Sequence, residues 1–404
     1  MATPRFLRPT AQPLLNEIAR IIPDARLRAY DGSASGPLDA RVSISFNDPR
    51  VFARLVRAPR GLGLARAWVA DEISVDGDLH YLAAHESSLR DRDLLRSVIA
   101  TSIRVTLGLG WHEIRSAGPT AVEHRPARFG LRPVKRDLEE AEHHYGLSAE
   151  FYRILLGSSM TYSSGIFAAG AETLDDAQDY KHRVISGKLR INESSHVLDI
   201  GCGWGSFLEY VTARYACKAT GITASLAQCR HARSRTSGSA EILYGDYRQH
   251  LPLPSVTAAA SIGMYEHVGA RNSLKFFRLV RQSLPSGARY LNQAIIWPQA
   301  KPHHVRRNAF VDRYIFPAGQ LLPISTQLSD LERAGFAIIS VETFGDSYAC
   351  TIRRWIANLG DQWDACAQIE GEARVRAWYM YLTGALTRFE DQTVNVAQVL
   401  AETR

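Results

Sequence analysis

The chain predicts a doubly wound α/β domain on a largely parallel sheet, preceded by a small α+β unit. From about residue 196 onward, strand and helix patterns alternate, the rhythm of a parallel sheet with helices on both faces. Within that stretch, VLDIGCGWGSFLEY (197–210) carries an apolar strand ending on Asp199 into an amphipathic helix through Gly201, Gly203 and Gly205. Residues 10–90 read differently, mixing short alternating strands with short helices.

The elements follow in order. TAQPLLNEIARII (10–22) puts Leu14, Leu15, Ile18, Ile21 and Ile22 on one helical face, suited to a core or to a membrane surface. RVSISF (41–46) alternates as a strand, PRVFARLVRA reads as a helix, and 91–109 is a further amphipathic helix. These divide the chain into an α+β domain at 1–115, a basic, proline-containing linker at 116–136 that includes HRPARFGLRPVKR, and an α/β domain at 137–404. In the last, strands are expected at 196–201, 218–223, 241–245, 256–263, 289–296 and 336–343, with helices at 204–215, 225–236, 271–284 and 325–335. The tail reads as helices, with TVNVAQVLAE as a last strand.

Composition bounds the function. At 404 residues, 46% hydrophobic and 22% charged, the chain has the makeup of a globular protein, and no apolar run approaches the ~18–20 residues of a spanning helix. The start, MATPRFLRPTAQ, lacks a signal-peptide apolar region, so a cytoplasmic location is expected. Five scattered cysteines without a CxxC pair suggest neither disulfides nor zinc. The pairs His143–His144 and His303–His304 lack the i,i+4 spacing of helical ligands, so no metal is expected. The net charge of +7 favours an anionic partner, either nucleic acid or an anionic membrane.

Glycines after Asp199 allow a ligand to reach the backbone at the carboxyl end of the strands. A dinucleotide site would call for GxGxxG and an acid roughly twenty residues on, but Ser206 stands at the last glycine position and TGITAS holds no carboxylate. Asp-x-Gly-x-Gly-x-Gly is instead the fingerprint of class I methyltransferases, with Asp199 and the loop at the amino-acid end of S-adenosylmethionine.

Further stretches narrow the class: HHYGLSAEFYRILLGSSMTYSSGIF, LDDAQDYKHRVISGKL, GITASLAQ, GDYR, SIGMYEHVG, FVDRYIFPAGQLLP and FGDSYACTIRRW. Together, in order from about 140 to the end, they resemble the cyclopropane-fatty-acyl-phospholipid synthases and mycolic acid methyltransferases. LGLARAWVADEISVDGDL is similar to the lead-in domain of the phospholipid-acting members. The resemblance implies a Rossmann-like class I methyltransferase sheet and places the cofactor contacts on Tyr162, Ser163, Gly201, Gly203, Trp204, Thr223, Gln228 and Asp246. Thr223 and Gln228 then stand in for the missing ribose acid; read alone, they are a helix start capped by Ser225.

It also implies methylation of an alkene through a carbocation that must be shielded from water, and a bicarbonate ion that removes the proton. Glu266 and Tyr348 match the anion-holding Glu and Tyr, Ser164 stands at a Cys position used through its backbone, and Ile295 is the matching Ile. Gln293 falls where the family has a His; an amide can donate to an anion but cannot titrate. Read on its own, Glu266 is equally a capping residue or a partner of Arg271. Tyr265, Tyr314, Phe316 and Trp355 are candidates to face a cation.

The implied partner is a phospholipid bilayer with unsaturated acyl chains, approached peripherally from the inner face through Arg125–Arg136 and amphipathic helices such as 10–22. A homodimer is one assembly left open. Nucleic acid is disfavoured, because GMYEHVG stands where amino-methylating enzymes carry an N/D-P-P-Y motif. A lipid-binding protein without catalysis is the rival of another class, motivated by Gln293 and Ser164.

Overall fold

A computed structural model describes residues 10–58, 61–84, 92–108, 111–124, 147–168, 170–299, 308–316 and 319–404. The basic stretch 125–136 and both His pairs lie outside them. The chain divides into two compact units. The first takes the described residues of Met1–Arg125 together with Asn308–Ile315 and Gly371–Thr387; the second takes the remainder.

The first unit has a four-stranded sheet of β1 (Ala25–Ala29), β2 (Ala34–Ser35), β3 (Val42–Phe46) and β4 (Ile73–Asp76), in the order β2-β1-β3-β4. Val42, Ile44 and Phe46 alternate inward along β3, as the sequence expects. Helix Gln12–Ile21 packs Leu14 and Leu15, both fully buried, into the same core as Leu27, Val51 and Phe52. Of the two roles open to this helix, core or membrane contact, the structure shows the first: its apolar face packs inside the unit, not against lipid.

Two C-terminal segments join this unit through specific bonds that the sequence does not announce. Arg376 donates to the carbonyls of Trp68 (2.6 Å) and Ile73 (2.6 Å) and lies over the Trp68 ring. Glu123, whose side chain is fully enclosed, accepts from Arg66 through both oxygens and from Arg313 at 2.7 Å. These charges hold Glu123 below the usual carboxylate range against the opposing effect of burial.

The second unit holds the large sheet: β5 (His196–Ile200), β6 (Lys218–Thr223), β7 (Glu241–Tyr244), β8 (Ala258–Ile262), β9 (Arg289–Trp297), β10 (Leu322–Pro323), β11 (Phe336–Thr343) and β12 (Asn395–Thr403). The order is β11-β12-β9-β8-β5-β6-β7, with the short β10 on β9. The strands run parallel except β12, which inserts antiparallel between β9 and β11. Expected strands and helices match within a few residues, including the last strand.

Alternation sorts the sheet's side chains. Leu198 and Ile200 face a core shared with helices Ser273–Ser283 and Ile324–Arg333, whereas Val197 faces the layer of Leu174–Leu189, Ser206–Tyr215 and Leu226–Thr236. Asp199 follows Val197, so it points toward helix Leu174–Leu189. Among the described residues no helix is long and apolar enough to cross a membrane.

The packed Gln12–Ile21 face gives a direct test. Leu14→Ala should cost about 2–5 kcal/mol of stability, as for a buried leucine. Thermal unfolding checks it; an unchanged transition would return Leu14 to the surface.

Candidate active site

At the carboxyl end of β5 the chain turns sharply: the N–H groups of Gly201 and Cys202 both donate to the Ile222 carbonyl, at 2.9 and 3.0 Å. Gly205 is required by packing, since a Cβ there would stand 2.9 Å from the Cβ of Ala232 on the neighbouring helix. Gly203, at φ +52°, faces open space, with only the Gln228 amide nitrogen 4.0 Å from where a side chain would begin. Its bare backbone borders a cavity of about 180 Å³.

Every cofactor residue expected from the sequence lines that cavity: Tyr162, Ser163, Asp199, Gly201, Gly203, Trp204, Thr223, Gln228 and Asp246. Thr223 donates from Oγ1 to Gln228 Oε1 at 2.8 Å, and the Ser225 hydroxyl caps the helix by accepting from the Gln228 N–H. The cap expected from the sequence is present, and it fixes a residue that lines the cavity. Asp246 spends its carboxylate on Arg248, through bonds of 2.7 and 2.6 Å, and on capping the short helix Tyr247–His250. Its charge is therefore balanced within the protein.

The cavity also holds residues that motif reading passed over. Lys181 is fully buried and donates from Nζ to Ser163 Oγ at 2.8 Å. Burial pushes Lys181 down to about 7 and Asp199 up to about 7, while each charge opposes the other's neutralisation. His267, beside Glu266 and 5.8 Å from the Phe316 ring, is driven down to about 4 by burial, so it is neutral at physiological pH. Lys181 lies in LDDAQDYKHRVISGKL, but that stretch does not say which residues it meets; the fold brings it to Ser163.

Among the buried polar atoms with no hydrogen-bond partner among the described residues are two on the cavity lining, Asp199 Oδ1 and the Trp204 indole nitrogen. An unmet acceptor on an acid and an unmet donor, at a glycine loop with room above it, fit the polar amino-acid end of S-adenosylmethionine.

The catalytic candidates lie outside the cavity lining but close to it in the chain. Glu266 follows Met264 and precedes His267, both cavity residues. Its Oε1 accepts from the Ile295 N–H at 2.7 Å, and its Oε2 is buried without a partner among the described residues. The partner that Glu266 takes is the Ile295 amide rather than Arg271. The Ile295 N–H thus fixes the Glu266 carboxyl. Burial lifts the Glu266 carboxyl to about 7.

Gln293 lies in β9, its carbonyl accepting from the Gly263 N–H at 2.8 Å. A Cβ on Gly263 would meet Ser163, so β8, β9 and the 161–165 segment converge here. Ser164 is buried, with its hydroxyl turned back onto the Gly165 carbonyl. Tyr348 joins the group through rings: Trp204, Tyr152, Tyr162, Trp355 and Tyr348 follow one another at centroid separations of 5.2, 5.9, 5.4 and 5.9 Å. Of the other aromatics, Phe316 lines the cavity, Tyr265 is core bonded to Ser273, and Tyr314 belongs to the first unit, bonded to Thr120 and Glu123. No metal-binding cluster occurs among the described residues.

The sequence profile of the mycolic acid cyclopropane synthetases matches residues 133–399. The chain belongs to this family. It is 32% identical over 394 residues to a probable fatty acid methyltransferase of Mycobacterium tuberculosis, covering 93% of this chain and 90% of that protein. It is 29% identical to the cyclopropane-fatty-acyl-phospholipid synthase of Escherichia coli K12, over 67% of this chain and 70% of that one. A crystal structure of mycolic acid cyclopropane synthase CmaA1 complexed with SAH and CTAB superposes with a TM-score of 0.63 at 27% identity, over 68% of this chain and 99% of that one. The fold is that of the class I S-adenosylmethionine-dependent methyltransferases, in a family that acts on lipid acyl chains.

Lys181→Met would leave Asp199 enclosed without its nearby cation. Calorimetric titration with S-adenosylhomocysteine should show affinity lowered about tenfold or more, the order of 1.4 kcal/mol. Unchanged affinity would place Lys181 outside cofactor binding.

Proposed function

We propose that this protein transfers a methyl group from S-adenosylmethionine to the double bond of an unsaturated fatty acyl chain of a membrane phospholipid, giving a cyclopropane. The observation that carries the reading is Glu266: a buried carboxyl, held at one oxygen by a backbone amide and open at the other, set in the chain between two residues of the cofactor cavity.

The cofactor supplies an electrophilic methyl group. Asp199 and the Gly201–Gly203 backbone would hold its amino-acid end, and the Thr223–Gln228 pair would meet its ribose. Methylating an alkene leaves a carbocation on the acyl chain, which water would trap as an alcohol. The aromatic series from Trp204 to Tyr348 walls off that region with apolar rings, whose faces tolerate positive charge. Glu266, Gln293, Tyr348 and the Ser164 backbone are the groups that would hold a bicarbonate ion as the proton acceptor. The unmet Glu266 Oε2 supports that fit, while the Ile295 amide acts one step back by fixing Glu266.

A second product is favoured by one finding. The relative matched across 93% of the chain is named as a fatty acid methyltransferase, so loss of a different proton, giving a methylene or methyl branch, is the alternative outcome of the same cation. Access to bilayer lipid is proposed to be peripheral, at the cytoplasmic face, with the +7 net charge favouring anionic lipid.

The deciding assay incubates the protein with vesicles of mono-unsaturated phospholipid and methyl-labelled S-adenosylmethionine. A labelled acyl chain one methylene heavier is expected, and NMR separates ring from branch; no labelled lipid despite cofactor binding favours the non-catalytic rival. Gln293→His should add an ionisation near neutrality to the pH profile of turnover.

Glu266 also makes a stability prediction. Its carboxyl sits at about 7 when folded against 4.5 ordinarily, so the folded protein retains a proton that the unfolded chain releases. The group therefore destabilises increasingly as pH rises from 4.5 to about 7, reaching about 3 kcal/mol above that range. Glu266→Gln should abolish turnover yet raise the unfolding temperature at pH 8 and leave it unchanged at pH 4. A drop at pH 8 would show Glu266 to be a structural residue.

A further inference from the structure

A lysine sets the direction of two buried amides beside the candidate base site. Lys188, at the end of helix Leu174–Leu189, bridges Glu342 at 2.6 Å and donates to Gln398 Oε1 at 2.7 Å. Gln398 Nε2 in turn donates to Gln293 Oε1 at 2.9 Å. Gln398 and Gln293 are direct cross-strand neighbours on β12 and β9, with 1% and 2% exposure.

Which end of an amide is oxygen is normally a matter of inference. Here chemistry decides it. An ammonium group only donates, so Gln398 must turn its oxygen to Lys188 and its nitrogen to Gln293. Gln293 must then offer its oxygen to Gln398. Its Nε2 has no hydrogen-bond partner among the described residues and is left as the outward donor. Lys188 is itself held in place: the Glu342 carboxylate balances it, and its Nζ lies 5.5 Å from the Phe344 ring.

We propose that Lys188 and Gln398 are positioning residues that lock the Gln293 amide with its N–H group toward the base site, making position 293 a fixed donor to a small oxyanion. A histidine at this place would change charge and donor pattern with pH, whereas a locked amide donates at every pH. The inference rests on the reading of Gln293 as a base-site residue, and its test separates the two.

Gln398→Glu is the informative change. A carboxylate still accepts from Lys188 but must also accept from Gln293, which turns the Gln293 amide over and aims its oxygen at the anion. Gln398→Leu merely frees the amide. With S-adenosylhomocysteine affinity unchanged in all variants, kcat should fall about threefold for Gln398→Leu and about tenfold or more for Gln398→Glu, in the range of a lost oriented donor. Added to Gln293→Leu, Gln398→Glu should cause no further loss, because the two act as one unit.

A second readout needs no turnover. Sodium bicarbonate, added to the S-adenosylhomocysteine complex, should raise the unfolding temperature of the unaltered protein and of Gln398→Leu, but not of Gln398→Glu. If Gln293→Leu is impaired while Gln398→Glu is fully active, the locking is wrong and the Gln293 assignment stands. If Gln293→Leu is fully active, or bicarbonate stabilises no form, both fall.

Discussion

Lys181 and Asp199 are both buried at the cofactor cavity, each in the field of the other's charge. Burial drives each toward its neutral form, and only their mutual field and the Ser163 hydroxyl resist it. The elements that meet at this point are fixed by it. Helix Leu174–Leu189 must lie on the face of the sheet to which Asp199 points, and the 161–165 segment must pass between them. The glycine turn then has a rigid floor, and the cavity opens above it.

The same dry environment extends to Glu266 and Gln293, where the protein uses a different device. Polar groups there are held by hydrogen bonds from groups of fixed character: a backbone N–H for Glu266, and a lysine-anchored pair of amides for Gln293. Such bonds set direction without adding a second titrating group. The aromatic series between Trp204 and Tyr348 supplies the water-excluding surface, and its members come from four separate stretches of chain.

Much of the site was legible because it is local. Asp199, the glycines, Thr223 with Gln228, and Glu266 lie on short stretches where a strand ends and a helix or turn begins, the first two picked out by their spacing and the others by motifs that resemble a known family. The bond between Ile295 and Glu266 was not legible for a physical reason: which side chain reaches a backbone N–H depends on the fold, and Glu266 comes from another strand end. Helix Gln12–Ile21 was left between core and membrane by the sequence, since an apolar face looks the same whether protein or lipid covers it.

By itself the sequence determined the order of strands and helices, the glycine turn and the class of chemistry. The first two follow from periodicity and from backbone conformation at glycine; the class of chemistry follows from motifs that together resemble a known family. Tertiary structure alone decided that Lys181 stands beside Asp199, that Glu266 takes the Ile295 amide, and that Lys188 orients Gln293 through Gln398. It also decided that Asn308–Ile315 and Gly371–Thr387 join the first unit. Each of these is a contact between elements far apart in the chain, where burial selects partners that no local pattern encodes.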